Sequence, residues 1–229
     1  MLRRVCFPSL RKPFPFRMNT LTSLHDLIAT QSLLKHPFYQ KWSKGELTKE
    51  DLAFYAKEYF HLVERIPGIV ARVHERATDA QSRLKISGNI MEEQEHTKLW
   101  KRFARSLGIS EKELLAHVPS MKTQQAIRSL EKTCEESFEA GVAAVYAIEL
   151  ELPKIAETKK QGLSDFYGLT SEDAQIYFDE HLKEEEHLQV WRSMPMEACD
   201  LTEAARTSMA AQNQVLDAVC EGRGISMDC

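Results

Sequence analysis

Glycine and proline are scarce in this 229-residue chain, at 9 and 8. Three of the prolines, Pro8, Pro13 and Pro15, fall before residue 16. A body so poor in turn-forming residues argues against a fold of many short strands and for long helices. Long apolar runs are missing too: no stretch of about 18 apolar residues occurs, which excludes a membrane-spanning helix. There is no basic excess. Lys+Arg 30 stand against Asp+Glu 34, a formal charge of −4, so charge offers no footing for a nucleic-acid partner. The five cysteines, Cys6, Cys134, Cys199, Cys220 and Cys229, are odd in number and widely spaced. Without a CxxC, neither a zinc knuckle nor a dithiol redox pair is signalled. Free thiols in a reducing cytoplasm are what this usage implies.

What is present is ordinary for a globular protein, with 43% hydrophobic and 28% charged residues and a length suited to one domain. The first 17 residues differ. They carry Arg3, Arg4, Arg11, Lys12 and Arg17 and no acid; without those five charges the overall −4 becomes −9 on the rest. Their apolar patches are too short and too broken by proline for a secretory signal. An organelle presequence is one reading and a translation start at Met18 the other. The second is preferred, and little order is expected in either case. Residues 18–221 read as the helical domain and 222–229 as a tail.

From Thr20 onward the apolar period is helical. Leu52, Tyr55, Tyr59, Leu62, Val63, Ile66, Ile69, Val70 and Val73 repeat at threes and fours, which predicts a helix from Thr48 to about Ala77. Thr48 is its N-cap, with Asp51 three residues on, and Pro67 should kink it. A second long helix is predicted over Asp79–Leu107, ended by Gly108. Ser110 opens a short helix before Pro119. Further helices are expected over about Lys122–Cys134, Glu136–Lys160 (stopped by Gly162), Ser171–Arg192 and Glu197–Glu221. The fold class is all-α, one bundle of seven or eight helices.

Three segments carry candidate chemistry. Glu93-x-x-His96 puts a carboxylate and an imidazole on one helix face. Glu184-x-x-His187 repeats that spacing, with His181 one turn earlier. Two such pairs on separate helices are the pattern of di-iron and di-manganese carboxylate bundles. Glu149, in the apolar GVAAVYAIELELPKIA, is a carboxylate in an otherwise buried helix. It is either a metal ligand or one edge of a solvated stripe with Glu151. Glu93, His96, Glu149, His181, Glu184 and His187 together supply three carboxylates and three imidazoles. Their −3 nearly offsets two divalent ions, and hard oxygens with imidazoles suit iron or manganese. Tyr39, Trp42, Tyr55 and Tyr59 form an aromatic group whose ordinary role is core packing.

Residues 36–59 (HPFYQKWSKGELTKEDLAFYAKEY), 138–156 (FEAGVAAVYAIELELPKIA) and 172–181 (EDAQIYFDEH) resemble the family of chlamydial death-domain-associating proteins, within the haem-oxygenase-like dimetal oxidase superfamily. The likeness covers about residues 18–215. It implies a seven-helix haem-oxygenase-like fold without haem. It also implies a dinuclear iron or iron–manganese site, and an oxygen-dependent route to para-aminobenzoate, the folate precursor. An external reductant is implied with it. In this route the enzyme consumes itself. The sacrificed tyrosine falls on Tyr39, a relaying tyrosine on Tyr55 and the amino-donor lysine on Lys159. A homodimer and binding of host death-domain proteins are further roles the likeness suggests, the latter with export into a host cell.

Two departures from the family pattern bear on the metal ligands. The first Glu and His are closer here than in the chlamydial protein, which leaves Glu93 as the expected ligand and Glu92 as its substitute. The last metal helix of the family resembles His-x-x-x-Asp-x-x-His, whereas this chain has His181-x-x-Glu184-x-x-His187. On an ideal helix these three fan over about 120°. A π-bulge would realign them, or Glu185 would replace Glu184. Four rivals remain: an oxidase acting on an external small molecule, a death-domain-binding module, metal-free thiaminase chemistry through a cysteine, and haem ligation by His25.

Overall fold

The computed structural model describes residues 17–183, 185–194 and 201–227, with side chains from residue 21 onward except those of 185–187. The basic leader lies outside the described residues. Among the described residues there are twelve α-helical segments and one 3₁₀ turn (Leu33–Lys35). The segments are α1 (Arg17–Thr30), α2 (Pro37–Trp42), α3 (Lys49–Val63), α4 (Ile66–Arg76), α5 (Ala80–Ser106) and α6 (Glu111–Ala116). They continue as α7 (Met121–Glu136), α8 (Phe138–Glu149), α9 (Leu152–Asp165), α10 (Glu172–His181), α11 (Glu185–Arg192) and α12 (Leu201–Arg223). The all-α bundle is as expected. Its segment count exceeds seven or eight because helices read as continuous are interrupted.

The interruptions have local causes. Pro67 is the second residue of α4 and follows a turn at Glu64–Arg65. Pro153 is the second residue of α9 and follows a turn at Leu150–Glu151. Proline has no N–H to give the preceding turn and its ring crowds the carbonyl four residues back, so the helix stops and restarts. The expected single helix over 136–160 is therefore two, and Pro153 is the residue that divides it. The expected helix over 171–192 is also two, α10 and α11, divided after His181.

Caps mark the ends. Thr48 and Asp51 form a reciprocal capping box at the start of α3. Asp79 accepts from the Ser82 N–H at 2.8 Å to open α5, and Gly108 closes it with φ 81°. Gly162 does not stop a helix. It lies inside α9, where an added Cβ would come within 2.6 Å of the Trp42 ring. Its missing side chain lets α2 lie against α9.

The helix α8 is the centre of the bundle. Nine successive residues, Gly141 to Glu149, are buried, as expected of a helix apolar on every side. Helix α12 packs across α7, α8, α3 and α1, while α5 packs on α4, α10 and α3. Among the described residues, no helix is long and apolar enough to cross a membrane.

Candidate active site

Among the described residues, two groups of buried polar side chains hold the candidate site residues. The first is built on α5, α8 and α10. Helix α5 turns Glu93 and His96 inward, 6% and 5% exposed, while Glu92 is on the outer face. His96 Nδ1 is 3.3 Å from Glu93 Oε2. Helix α10 brings His181 alongside, with the His96 and His181 rings 4.4 Å apart. The Nδ1–H of His181 donates to the Tyr177 carbonyl at 2.6 Å. A carbonyl only accepts, so the neutral ring carries its lone pair on Nε2, the tautomer in which imidazole ligates metals.

Glu149, the last residue of α8, is buried, and so is Glu151. The alternative of a solvated stripe through these two residues is thereby removed. Glu93, Glu149 and His181 line one cavity with Tyr59, Ile66 and Tyr177. Its volume is about 30 Å³, room for a water or a bare ion. Two proline-restarted helices and the break after His181 all border it. These breaks end the regular ladder where acid and imidazole side chains must converge.

Glu184 lies outside the described residues. His187 and the substitute Glu185 fall in α11, but their side chains lie outside the described residues too. Among the described residues, no three His, Cys, Asp or Glu side chains form a metal cage by themselves. The donor set nonetheless fits a hard divalent ion: two carboxylates and two imidazoles are withdrawn from water on three facing helices. Burial alone does not make a ligand. Glu58 is 1% exposed, yet it accepts from Thr123 Oγ1, His117 Nε2 and the Ser120 N–H at 2.5, 2.7 and 2.9 Å. Burial pushes its carboxyl up; these hydrogen bonds outweigh that and leave it below the usual range.

The second group is built on α2, α3 and α9. His36 caps α2 by accepting the Phe38 N–H on Nδ1 at 3.1 Å, and its Nε2 reaches Asp217 of α12 at 3.1 Å. That anchor holds Tyr39 inside, 1% exposed. The Trp42 indole donates to the Lys159 carbonyl at 3.2 Å, which fixes α9 against α2. Lys159 then points inward and is 4% exposed, whereas its neighbour Lys160 pairs with Asp179. The Lys159 Nζ hydrogen-bonds to the Tyr55 hydroxyl at 2.5 Å. It stands 5.0 Å from the Tyr39 ring centre, 5.1 Å from Tyr55 and 5.2 Å from Tyr59. The Tyr39 and Tyr55 hydroxyl oxygens are 3.5 Å apart.

Desolvation dominates the electrostatics here. Burial pulls the Lys159 ammonium down to about 7, so much of it is neutral near neutral pH. Burial also pushes Tyr39, Tyr55 and Tyr59 above the ordinary phenol range, so all three stay protonated.

Three aromatic residues to which the sequence motifs assign no such role connect the two groups. Tyr59 is 5.1 Å from Tyr55, ring to ring, and lines the acid–imidazole cavity. Trp100 lies between the two groups, edge-on to Tyr55 at 5.7 Å and to Tyr177 at 4.8 Å, and Tyr177 is 4.2 Å from His181. The signal that points to them is spacing: Trp100 is four residues after His96, and Tyr177 four before His181, each on its partner's face.

A second cavity, about 320 Å³, opens beside Tyr39 between α2 and α9, with Gln40, Ser43, Thr158, Gln161 and Asp165 on its walls. The thiol and haem alternatives find no support in the described residues. Cys134 and Cys220 line neither cavity, and burial pushes their thiols up to about 12 and about 11. His25 is engaged with the Tyr146 hydroxyl at 2.6 Å.

Known proteins resemble this chain in sequence and in fold. The 4-aminobenzoate synthase of Chlamydia muridarum is 39% identical over 169 residues, 72% of this chain and 72% of that one. The 4-aminobenzoate synthase of Nitrosomonas europaea is 34% identical over 169 residues, 68% of this chain and 69% of that one. Solved structures share the fold. A haem-oxygenase-like domain from Shewanella denitrificans has a TM-score of 0.77 at 17% identity, covering 91% of this chain and 94% of that one. A CADD-like protein from Nostoc punctiforme has a TM-score of 0.70 at 18% identity, covering 93% of this chain and 99% of that one. The model of the TENA/THI-4/PQQC family matches residues 25–222, and the chain belongs to that family.

Proposed function

We propose that this chain is an enzyme that makes 4-aminobenzoate, and that Tyr39 of the chain itself provides the aromatic ring. The observation that carries this reading is the buried contact of Tyr39, Tyr55 and Lys159, with Nζ 5.0 Å from the Tyr39 ring. Tyr39 would supply the ring and the para carbon that oxidation turns into the carboxylate, and Lys159 the amino nitrogen that replaces the phenol oxygen. The names of the chlamydial and Nitrosomonas relatives support the product.

A dinuclear iron or iron–manganese pair is the implied cofactor. Glu93, His96, Glu149 and His181 would hold it, with His187 and Glu184 or Glu185 from the following segment, and it would supply oxidation by dioxygen with an external reductant. The remaining work falls to the chain. Burial keeps Tyr39 and Tyr55 protonated, so removing an electron from either requires that its proton leave too. Lys159, neutral in good part near pH 7, is the base within reach of the Tyr55 hydroxyl. Only after it has passed that proton on is Lys159 a nucleophile toward an oxidised ring, as an amino donor must be. The dense packing of Phe38, Trp42 and Trp100 around Tyr55 keeps water from the Tyr55 ring.

The test is single-turnover mass analysis. The protein is loaded with iron and manganese without oxygen and then given oxygen and reductant. Loss of side-chain mass at Tyr39, with no more than about one 4-aminobenzoate per chain, is the expected result. One observation favours a second reading, oxidation of an external small molecule: the cavity of about 320 Å³ beside Tyr39 is large enough to admit one. Multiple turnovers with Tyr39 intact would establish that reading and overturn self-sacrifice.

A further inference from the structure

Asn89 is the least explained polar residue of the core. It is 1% exposed, and neither its amide oxygen nor its amide nitrogen has a hydrogen-bond partner among the described residues. Burying an amide with nothing to bond costs several kcal/mol, and such groups in folded proteins are usually satisfied by an ion or water. The position of Asn89 indicates which.

Helix α5 is unbroken from Ala80 to Ser106. Within it, residues 89, 93 and 96 fall inside about 60° of arc, with Asn89 roughly 6 Å along the axis from Glu93. Asn89 therefore extends the stripe that Glu93 and His96 begin. Three contacts fix what faces it. Arg102 pairs with Asp173, the His96 and His181 rings lie 4.4 Å apart and Lys85 donates to Ser193. Helix α5 thus runs antiparallel to the α10–α11 segment, and Asn89, between Lys85 and His96, faces α11. On that helix the indole nitrogen of Trp191 is likewise buried without a partner among the described residues. Two facing helices thus each bury a polar group that has no partner among the described residues.

We infer that Asn89 is a further member of the metal site, a neutral amide-oxygen donor to the bound divalent ion or to water held on it. The inference rests on the dimetal reading of Glu93, His96, Glu149 and His181. An amide oxygen is a hard donor of the kind manganese and iron(II) accept. It adds no negative charge to a set already rich in carboxylates.

Anaerobic Mn²⁺ titration of the full chain tests this, with metal content and thermal midpoint read together. Asn89→Leu keeps the branching at Cγ and removes both unsatisfied atoms. It should hold or raise the midpoint of the metal-free protein, weaken Mn²⁺ binding at least about 10-fold and shrink the Mn²⁺-induced rise in midpoint. Asn89→Asp, which keeps an oxygen donor and adds charge, should bind Mn²⁺ more tightly than Asn89→Leu and at least as tightly as wild type. Mn²⁺ affinity unchanged in both variants would overturn the inference while leaving the dimetal reading intact, as would a lower metal-free midpoint in Asn89→Leu with normal Mn²⁺ affinity. Failure of the wild-type chain to take up either Mn²⁺ or Fe²⁺ would overturn the dimetal reading and this inference with it.

Discussion

The two buried groups solve opposite electrostatic problems. Around Lys159 there are rings on every side, and the polar groups respond by becoming neutral: the ammonium falls to about 7 and the phenols rise. Around Glu93, Glu149 and His181 there is a small cavity, and acids and imidazoles gather on its walls. Desolvation is the same force in both places. In the first it leaves buried side chains uncharged. In the second the packing of three helices brings together, against that force, donors that a cation would satisfy. On the proposed function, the groups that would be changed are kept apart from the groups that would do the holding. Trp100, Tyr59 and Tyr177 span the gap.

Substitutions should separate the halves, and the largest effect is on product. Tyr39→Phe should abolish 4-aminobenzoate formation while Mn²⁺ uptake stays at the wild-type level. Glu149→Gln should weaken Mn²⁺ binding at least about 10-fold and abolish product with it. Product assays and metal analysis on the two variants decide the matter. Wild-type product from Tyr39→Phe would erase the assigned division.

The next effect is on stability and carries a pH signature. In the folded chain Lys159 titrates at about 7, against 10.5 ordinarily. Between those values the unfolded chain binds a proton that the folded chain does not, so this residue lowers stability progressively as pH falls from about 10.5 to about 7. Above that window both states are neutral and the penalty vanishes; below it both are protonated and the penalty is constant. Lys159→Met should therefore stabilise the protein most near pH 7 and progressively less toward pH 10, with a slope approaching one proton. Urea unfolding of both proteins at pH 7, 8 and 9 measures it. A difference that does not change with pH would mean that Lys159 is not buried as an amine.

The smallest effect tests the bridge. Trp100 is fully buried, and its indole donates to the Ala56 carbonyl at 2.9 Å. Trp100→Phe removes that bond and part of the ring, and should cost about 1–3 kcal/mol by urea midpoint. A cost under about 0.5 kcal/mol would show that the two groups are packed independently of it.

Much of the first group is legible in the amino-acid sequence. The i, i+3 spacing of Glu93 and His96 on a long uninterrupted pattern places both on one face, because helix geometry alone fixes that relation. Pro67 is expected only to kink its helix and the helix over 136–160 is expected unbroken, whereas at Pro67 and at Pro153 alike the helix stops and restarts. The spacing of His181 and His187 is not legible either: the helix divides between them, so an ideal-helix fan does not describe the pair.

Composition and periodicity determined the all-α bundle, the caps of α3 and α5 and the inward face of α5, since each depends on residues within a few turns of one another. Tertiary structure alone decided that Lys159 rather than Lys160 turns inward. That choice depends on Gly162 admitting the Trp42 ring and on Trp42 holding the Lys159 carbonyl, contacts across more than a hundred residues of chain that no local pattern encodes. It also decided that Glu149 and Glu151 are both buried and that Asn89 is left unsatisfied. Burial depends on what packs from the other side, and so does the chemistry of every group in this site.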